Sequence, residues 1–260
     1  MKTVSLKGRN IVVTGGTQGI GAEIALDAAR AGAAGVVISG RDAARGAKVV
    51  AALKKLGARA EFVAADLADA EQTRTIMTTA IRAFGTVDGL ANAAGITDRG
   101  RLEDTSVELW DRMFAVNARA PFILTQELAR HLKARQRPGS VVNIITRSSH
   151  GGQPFLTAYS CSKGALATLT RNTAHALRFD RIRVNGLNIG WADTPGEHAI
   201  QKRDGRPKDW LARAEPQQPF GRLIKPDDVS SLAVYLLSDA AEMITGSLIE
   251  SSASRSSIQR

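Results

Sequence analysis

The chain predicts a doubly wound α/β fold, a mostly parallel, seven-stranded sheet with helices on both faces. Two patterns carry that expectation. Short apolar runs of strand length alternate with longer segments of helical period, the sequence form of successive β-α-β units. The first apolar run also passes directly into a glycine-rich turn, Thr14-Gly-Gly-Thr-Gln-Gly-Ile-Gly21, that opens a helix. Such a turn places free helix N–H groups at the end of a parallel strand.

In order along the chain, Asn10 to Thr14, Gly35 to Ser39, Ala60 to Ala64, Val87 to Ala91, Val141 to Ile145 and Ile182 to Leu187 are short and apolar enough to be buried strands. Gly19 to Ala31, Ala43 to Leu56, Glu71 to Phe84, Val107 to Lys133 and Thr157 to Arg178 lie between or beside them with helical composition and period. Right-handed crossovers then stack helices on both sheet faces. From Trp191 to Arg222 the alternation stops in a stretch rich in Pro, Gly and charge, where Trp210-Leu-Ala-Arg could form a short helix. A long insertion after a strand C-terminus predicts a substrate lid over residues 191–222. The segment from Lys225 to Leu237 begins with Pro and acidic residues, as helices do. Gly246 to Glu250 is the expected last strand. With no linker or repeat, residues 1–250 read as one domain, and 251–260 as a polar tail.

At 260 residues and 43% apolar content the chain can bury a sizeable core. No apolar run approaches bilayer length and no signal peptide is visible, so a cytoplasmic protein without a membrane partner is expected. The one cysteine, Cys161, excludes an intrachain disulfide. The net charge of +10 is scattered, and aromatics are 5% of residues. That pattern points away from nucleic acid and suits a phosphorylated cofactor. His131, His150, His175 and His198 form no metal-ligand spacing, and no metal is expected.

Two sets of residues carry chemistry. Gly15, Gly19 and Gly21 allow a tight turn and close backbone approach to a pyrophosphate. Arg41 ends the second strand where a carboxylate would select NAD, and could instead grip a 2′-phosphate. Asp66, after the third strand, could accept from an adenine amino group, and Asn92 to Gly95 could let the backbone pass close to a ribose. About 140 residues beyond the glycines, Tyr159 and Lys163 stand at i and i+4, on one helix face. An ammonium beside a phenol would lower its pKa toward neutrality and equip it for proton transfer.

In these motifs and their order the chain resembles the short-chain dehydrogenase/reductase family over nearly its whole length. The resemblance implies a Rossmann fold and NAD(P)-dependent hydride transfer between a small carbonyl compound and its alcohol. It adds Thr17, Gln18, Ile20 and Leu67 to the expected cofactor contacts. Asn117 matches the family's catalytic asparagine, which would hold a water relaying protons from Lys163. The substrate-orienting hydroxyl falls on Thr146, with Ser148 the alternative. Ile189 stands for the family's proline after the sixth strand, its carbonyl left for the nicotinamide, and Thr194 falls where a threonine meets the carboxamide. Ile249-Glu-Ser-Ser replaces Val-Asp-Gly-Gly at the C-terminal strand. Arg41 favours NADP(H) over NAD(H), although Gln18 stands where many NADP-using relatives carry a basic residue.

Relatives imply a homotetramer or homodimer through the two long helices. Arg147, His150, His198, Lys202, Arg203 and Arg206 could form a cationic rim suiting a sugar, polyol or acid, or could simply be solvated. The alternative to an enzyme is a catalytically impaired nucleotide sensor or scaffold, supported only by the substitutions at Thr146, Ile189 and the last strand.

Overall fold

The structure is a computed structural model and describes residues 3–251. Seven strands form one sheet in the order β3-β2-β1-β4-β5-β6-β7. They are β1 (Asn10–Thr14), β2 (Gly35–Gly40), β3 (Arg59–Ala64), β4 (Gly89–Asn92), β5 (Gly139–Ile144), β6 (Ile182–Ile189) and β7 (Leu248–Ser251). All six neighbouring pairs are parallel. The order reverses beside β1, so the crevice between the ends of β1 and β4 is the natural ligand position. Residues 252–260 of the expected tail lie outside the described residues, while Ser251 ends β7.

Strand periodicity divides the core. Ile11 and Val13 pack on one side with α1 (Gly19–Arg30), Leu53 of α2 (Ala43–Lys55) and α9 (Pro226–Leu237). Val12 between them faces the other side, with α3 (Ala70–Phe84), α5 (Ala120–Ala134) and the C-terminal part of α6 (Thr157–Leu177). Successive strand side chains point to opposite faces, so a continuous apolar run feeds two cores at once.

The single helix expected from Val107 to Lys133 is divided. α4 (Val107–Phe114) passes into a wide turn, Ala115–Arg119, before α5 begins. There the Ala120 N–H bonds to the Ala115 carbonyl, five residues back. This one-turn π-bulge carries Asn117. The insertion after β6 contains two helices, α7 (Pro195–Arg203) and α8 (Trp210–Ala214), where only the second was expected. No helix among the described residues is long and apolar enough to cross a membrane.

Candidate active site

One cleft of about 1080 Å³ runs along the C-terminal ends of the strands. At one end it is lined by the glycine turn, Thr17, Gln18, Ile20, Arg41, Asp66 and Leu67. At the other lie Thr146, Tyr159, Lys163, Ile189 and Thr194, with Gly95 between. The strand order places these two groups on opposite sides of β1 and β4. Asn92 and Asn117 alone among the expected site residues do not line the cleft, and both are buried.

The glycine turn is shaped by contacts a side chain would obstruct. Gly15 has φ +64°, and a Cβ there would lie 2.8 Å from Ala94 Cα. At Gly21 a Cβ would lie 2.4 Å from the Gly15 carbonyl oxygen. Thr14 Oγ1 accepts from the Ala93 and Ala94 N–H groups, both at 3.1 Å, and so ties the ends of β1 and β4 together. Gln18, the N-cap of α1, makes no side-chain capping bond, and the first turn of α1 contains no acidic residue. Uncapped N–H groups opening on a cleft suit a pyrophosphate. Ser39 Oγ is buried without a partner and lines the same end. These residues fit a dinucleotide cofactor.

Arg41 lines the cleft, and a second arginine, Arg45, stands one helical turn on; its side chain bonds to Gln18 and pairs with Asp42 at 2.8 Å. The Arg41-Asp-Ala-Ala-Arg45 spacing could have revealed it. Asp66 accepts from the Ala68 N–H at 2.9 Å and faces Arg112 at 3.4 Å. The backbone bond first, then Arg112, holds its carboxyl below the usual range. The Asn92 side chain belongs to a buried chain in which Asn92 Nδ2 donates to Asn143 Oδ1 and Asn143 Nδ2 to Thr170 Oγ1, each at 2.8 Å. It ties β4 to β5 and α6, with its backbone rather than its amide near the cleft.

At the other end the Tyr159 hydroxyl hydrogen-bonds with Thr146. Ser148 instead donates to Gln153 Oε1 at 2.5 Å, so Thr146 is the hydroxyl that meets the phenol. Thr146 is buried and caps the short turn Arg147–His150 by accepting from the Ser148 N–H. Lys163 is buried, and its Nζ donates to the Ile144 carbonyl at 2.8 Å. A Cβ on Gly95 would lie 3.3 Å from both Lys163 Nζ and Asn117 Oδ1, so glycine is what lets the β4 end pass over that pair. Asn117 clasps Ile96, accepting from its N–H at 3.0 Å and donating to its carbonyl at 2.9 Å. It also donates to Ser162 Oγ, which donates to the Tyr159 carbonyl at 2.8 Å. The π-bulge thus connects the cleft floor to the tyrosine helix.

The expected lowering of the phenol by Lys163 is not what this arrangement gives. Burial pushes Tyr159 up to about 12, the Thr146 bond opposing and the Glu197 charge adding. Burial lowers Lys163 to about 8. The protein by itself therefore keeps Tyr159 as a protonated donor.

The insertion closes over this end. Trp191 stacks on Trp210 at 5.7 Å between ring centroids, and His198 meets Trp210 edge-on at 5.0 Å. Glu197 accepts from Trp191 Nε1 at 2.8 Å and from Gln201 at 2.5 Å, and faces Arg99 at 3.6 Å. Thr194 caps α7 by accepting from the Glu197 N–H. The insertion begins and ends on one bridge, where Ile224 N donates to the Trp191 carbonyl and Asp193 N to the Ile224 carbonyl. Lys225 bonds Asp193 and Glu215 there, each at 2.8 Å. Of the expected cationic rim, Arg147, His150 and Arg206 line the cleft; His198, Lys202 and Arg203 do not. His198 is bonded to Asp193 at 2.7 Å, and Arg203 is paired with Asp98 at 2.6 Å. Glu250, in the unusual last strand, reaches His150 at 3.2 Å and Arg147 at 3.6 Å and accepts from Asn188 at 2.8 Å.

The family described as enoyl-(acyl carrier protein) reductase matches residues 15–252. The chain belongs to the short-chain dehydrogenase/reductase family. It is 35% identical to cis-4-hydroxycyclohexanecarboxylate dehydrogenase of Sinomonas cyclohexanicum, over 93% of this chain and 94% of that one. It is 34% identical to the NADP-dependent (R)-specific alcohol dehydrogenase of Lentilactobacillus kefiri, over 94% and 95%. Among solved structures it resembles a candidate NAD(P)-dependent gluconate 5-dehydrogenase from Beutenbergia cavernae with NADP at low occupancy. That likeness has a TM-score of 0.87 and 34% identity over 97% and 98% of the chains. As a family member the chain is an NAD(P)-dependent oxidoreductase of the alcohol/carbonyl type.

Proposed function

We propose that the chain interconverts a small sugar-, polyol- or keto-acid-type carbonyl compound and its alcohol, with NADP(H) preferred over NAD(H). The carrying observation is the Tyr159–Thr146 hydroxyl pair, set in the same cleft as an uncapped helix N-terminus and Arg41. The relatives named for cis-4-hydroxycyclohexanecarboxylate and gluconate support the acid side of this range.

The nicotinamide cofactor supplies or accepts the hydride when bound. Gly15, Gly19 and Gly21, with the N–H groups of α1, would hold its pyrophosphate, and Arg41 with Arg45 the 2′-phosphate. Ile189 and Thr194 would hold the carboxamide side. Thr146 orients the substrate oxygen by hydrogen bonding. Tyr159 gives that oxygen its proton in reduction and removes it in oxidation. A phenol near 12 suits the first role, and oxidation requires Lys163's positive charge to draw the phenol down once both face the reacting atoms. Asn117, fixed on Ile96 and Ser162, positions the Lys163 side of the proton path.

We also propose a homotetramer or homodimer, on the half-exposed apolar side chains Trp110 and Phe122 of α4 and α5; a stable monomer in light scattering would exclude both.

The test is fluorescence titration of NADPH and NADH with wild type and Arg41→Ala, then turnover of sugars, polyols, keto acids and ketones with wild type and Tyr159→Phe. Selective loss of NADPH affinity in Arg41→Ala, and turnover only with Tyr159 intact, is expected. Binding without turnover across the panel would favour a nucleotide sensor.

A further inference from the structure

Among the described residues, two arginines lining the cleft make neither a side-chain hydrogen bond nor an ion pair. They are Arg41, at the end read as the nucleotide site, and Arg206, in the insertion over Tyr159. Apart from Lys163, whose ammonium donates to the Ile144 carbonyl beneath the cleft, every other charge lining the substrate end has an opposite partner. Arg99 pairs with Asp204 at 3.1 Å and with Glu197, Arg213 with Asp209 at 2.8 Å, and Asp98 with Arg203. Arg147 and His150 share Glu250. The acids of this end are thus compensated, and two cations are left over: Lys163 beneath Tyr159, and Arg206 in the insertion.

Arg206 stands on fixed backbone. Helix α7 ends in a paired cap: the Gly205 N–H bonds to the Lys202 carbonyl at 3.2 Å, and the Arg206 N–H to the Gln201 carbonyl at 2.9 Å. Gly205 supplies the positive φ of 71° that this cap requires. Gln201 is buried and bonded to Glu197, and Pro207 restrains the chain on the far side. The Pro207 carbonyl then accepts from Trp210 N at 3.0 Å, which leads into the aromatic stack. A guanidinium carried on such a frame loses less freedom on binding a planar anion than one on an open loop.

We propose that Arg206 is the carboxylate-binding residue of the substrate site, so that the substrate is a hydroxy acid or keto acid whose carboxylate points to the insertion while its carbonyl carbon faces Tyr159. This narrows the substrate class proposed above and rests on that reading. Arg147 stays on Glu250 and shapes the loop that carries Thr146, while Arg206 supplies the counter-charge.

The test uses the full chain with saturating NADP⁺ and two probes of nearly equal shape, cyclohexanecarboxylate and cyclohexanecarboxamide. Binding is read from tryptophan emission, since Trp191 and Trp210 line the cleft. In wild type the acid should bind about tenfold more tightly than the amide, as expected for a charge-assisted bond in a partly screened cleft. Raised salt should weaken the acid only. Arg206→Gln should erase the preference and Arg206→Lys should keep part of it. Equal binding of both probes, binding of neither, or a preference that survives Arg206→Gln overturns the inference. NADPH affinity and Tyr159-dependent turnover of neutral alcohols are measured separately. They can fail, and sink the oxidoreductase reading, while the acid–amide comparison remains readable.

Discussion

Replacing Lys163 by Met should change the way stability depends on pH. Burial lowers the Lys163 ammonium from 10.5 to about 8 in the folded chain. Between those values the unfolded chain holds a proton that the folded chain has released. Stability therefore rises with pH through this window, and the whole gap is worth about 3 kcal/mol at about 1.4 kcal/mol per pH unit. Tyr159, raised to about 12, acts with the opposite sign. Its contribution is complete below about pH 10 and is lost as pH climbs toward 12. The range from about pH 7.5 to 9.5 consequently isolates the lysine. Urea unfolding of the cofactor-free protein across that range should show wild type gaining about 2 kcal/mol on Lys163→Met. The difference between the two proteins, rather than either curve alone, removes the contributions of other titrating groups. Parallel stability–pH curves would refute the argument and place Lys163 in a solvated setting. The same numbers mean that at pH 7 the amine is mostly charged, so the fold sacrifices stability to keep a cation under the cleft.

Other substitutions test separate parts of the site. Gly21→Ala forces a methyl to within 2.4 Å of the Gly15 carbonyl; NADPH titration and melting should show affinity reduced tenfold or more and a stability loss of about 1–3 kcal/mol. Glu250→Gln releases Arg147 and His150 from a half-exposed carboxylate, so stability should change by less than about 1 kcal/mol. Its steady-state kcat should fall several-fold with NADPH affinity unchanged, because the Thr146 turn loses its outer anchor. Trp210→Ala removes the partner of both Trp191 and His198; substrate KM should rise, and amide exchange over 191–214 should accelerate while the sheet stays protected.

The sheet was legible because its central strands are short buried runs, as in Asn10–Thr14 and Gly35–Gly40, separated by helical segments, whereas the edge strand Arg59–Ala64 alternates in exposure. The Tyr159–Lys163 spacing and the glycine turn were legible because each is local: helix phase or backbone freedom alone sets them. The π-bulge was hidden. Val107 to Lys133 keeps helical composition throughout, and the bulge is held by Asn117 clasping Ile96, a contact between distant segments. The charges of the insertion were equally ambiguous, since Arg203 and Arg206 differ only in what faces them: Asp98 in one case, no acid in the other. The Asn92 amide was equally hidden: the sequence speaks only for the backbone there, and the side chain turns inward to Asn143, 51 residues on. The phenol's acidity was overestimated because i,i+4 spacing fixes a face but not a distance, and Lys163 spends a hydrogen bond on Ile144.

The bridge joining Trp191 and Asp193 to Ile224 makes the insertion a closed loop hung from one point. Whatever lies between these anchors can change in length or sequence without transmitting a register shift to β6 or α9. In the function proposed above, the glycine turn, Arg41, Tyr159 and Lys163 lie on the sheet side of the knot, whereas Thr194 and most of the substrate walls lie beyond it. Exchange of residues 195–223 between relatives, with the anchors and Thr194 retained, should therefore transplant substrate preference as a cassette. Such chimaeras offer a way to redirect this oxidoreductase while leaving its hydride chemistry untouched.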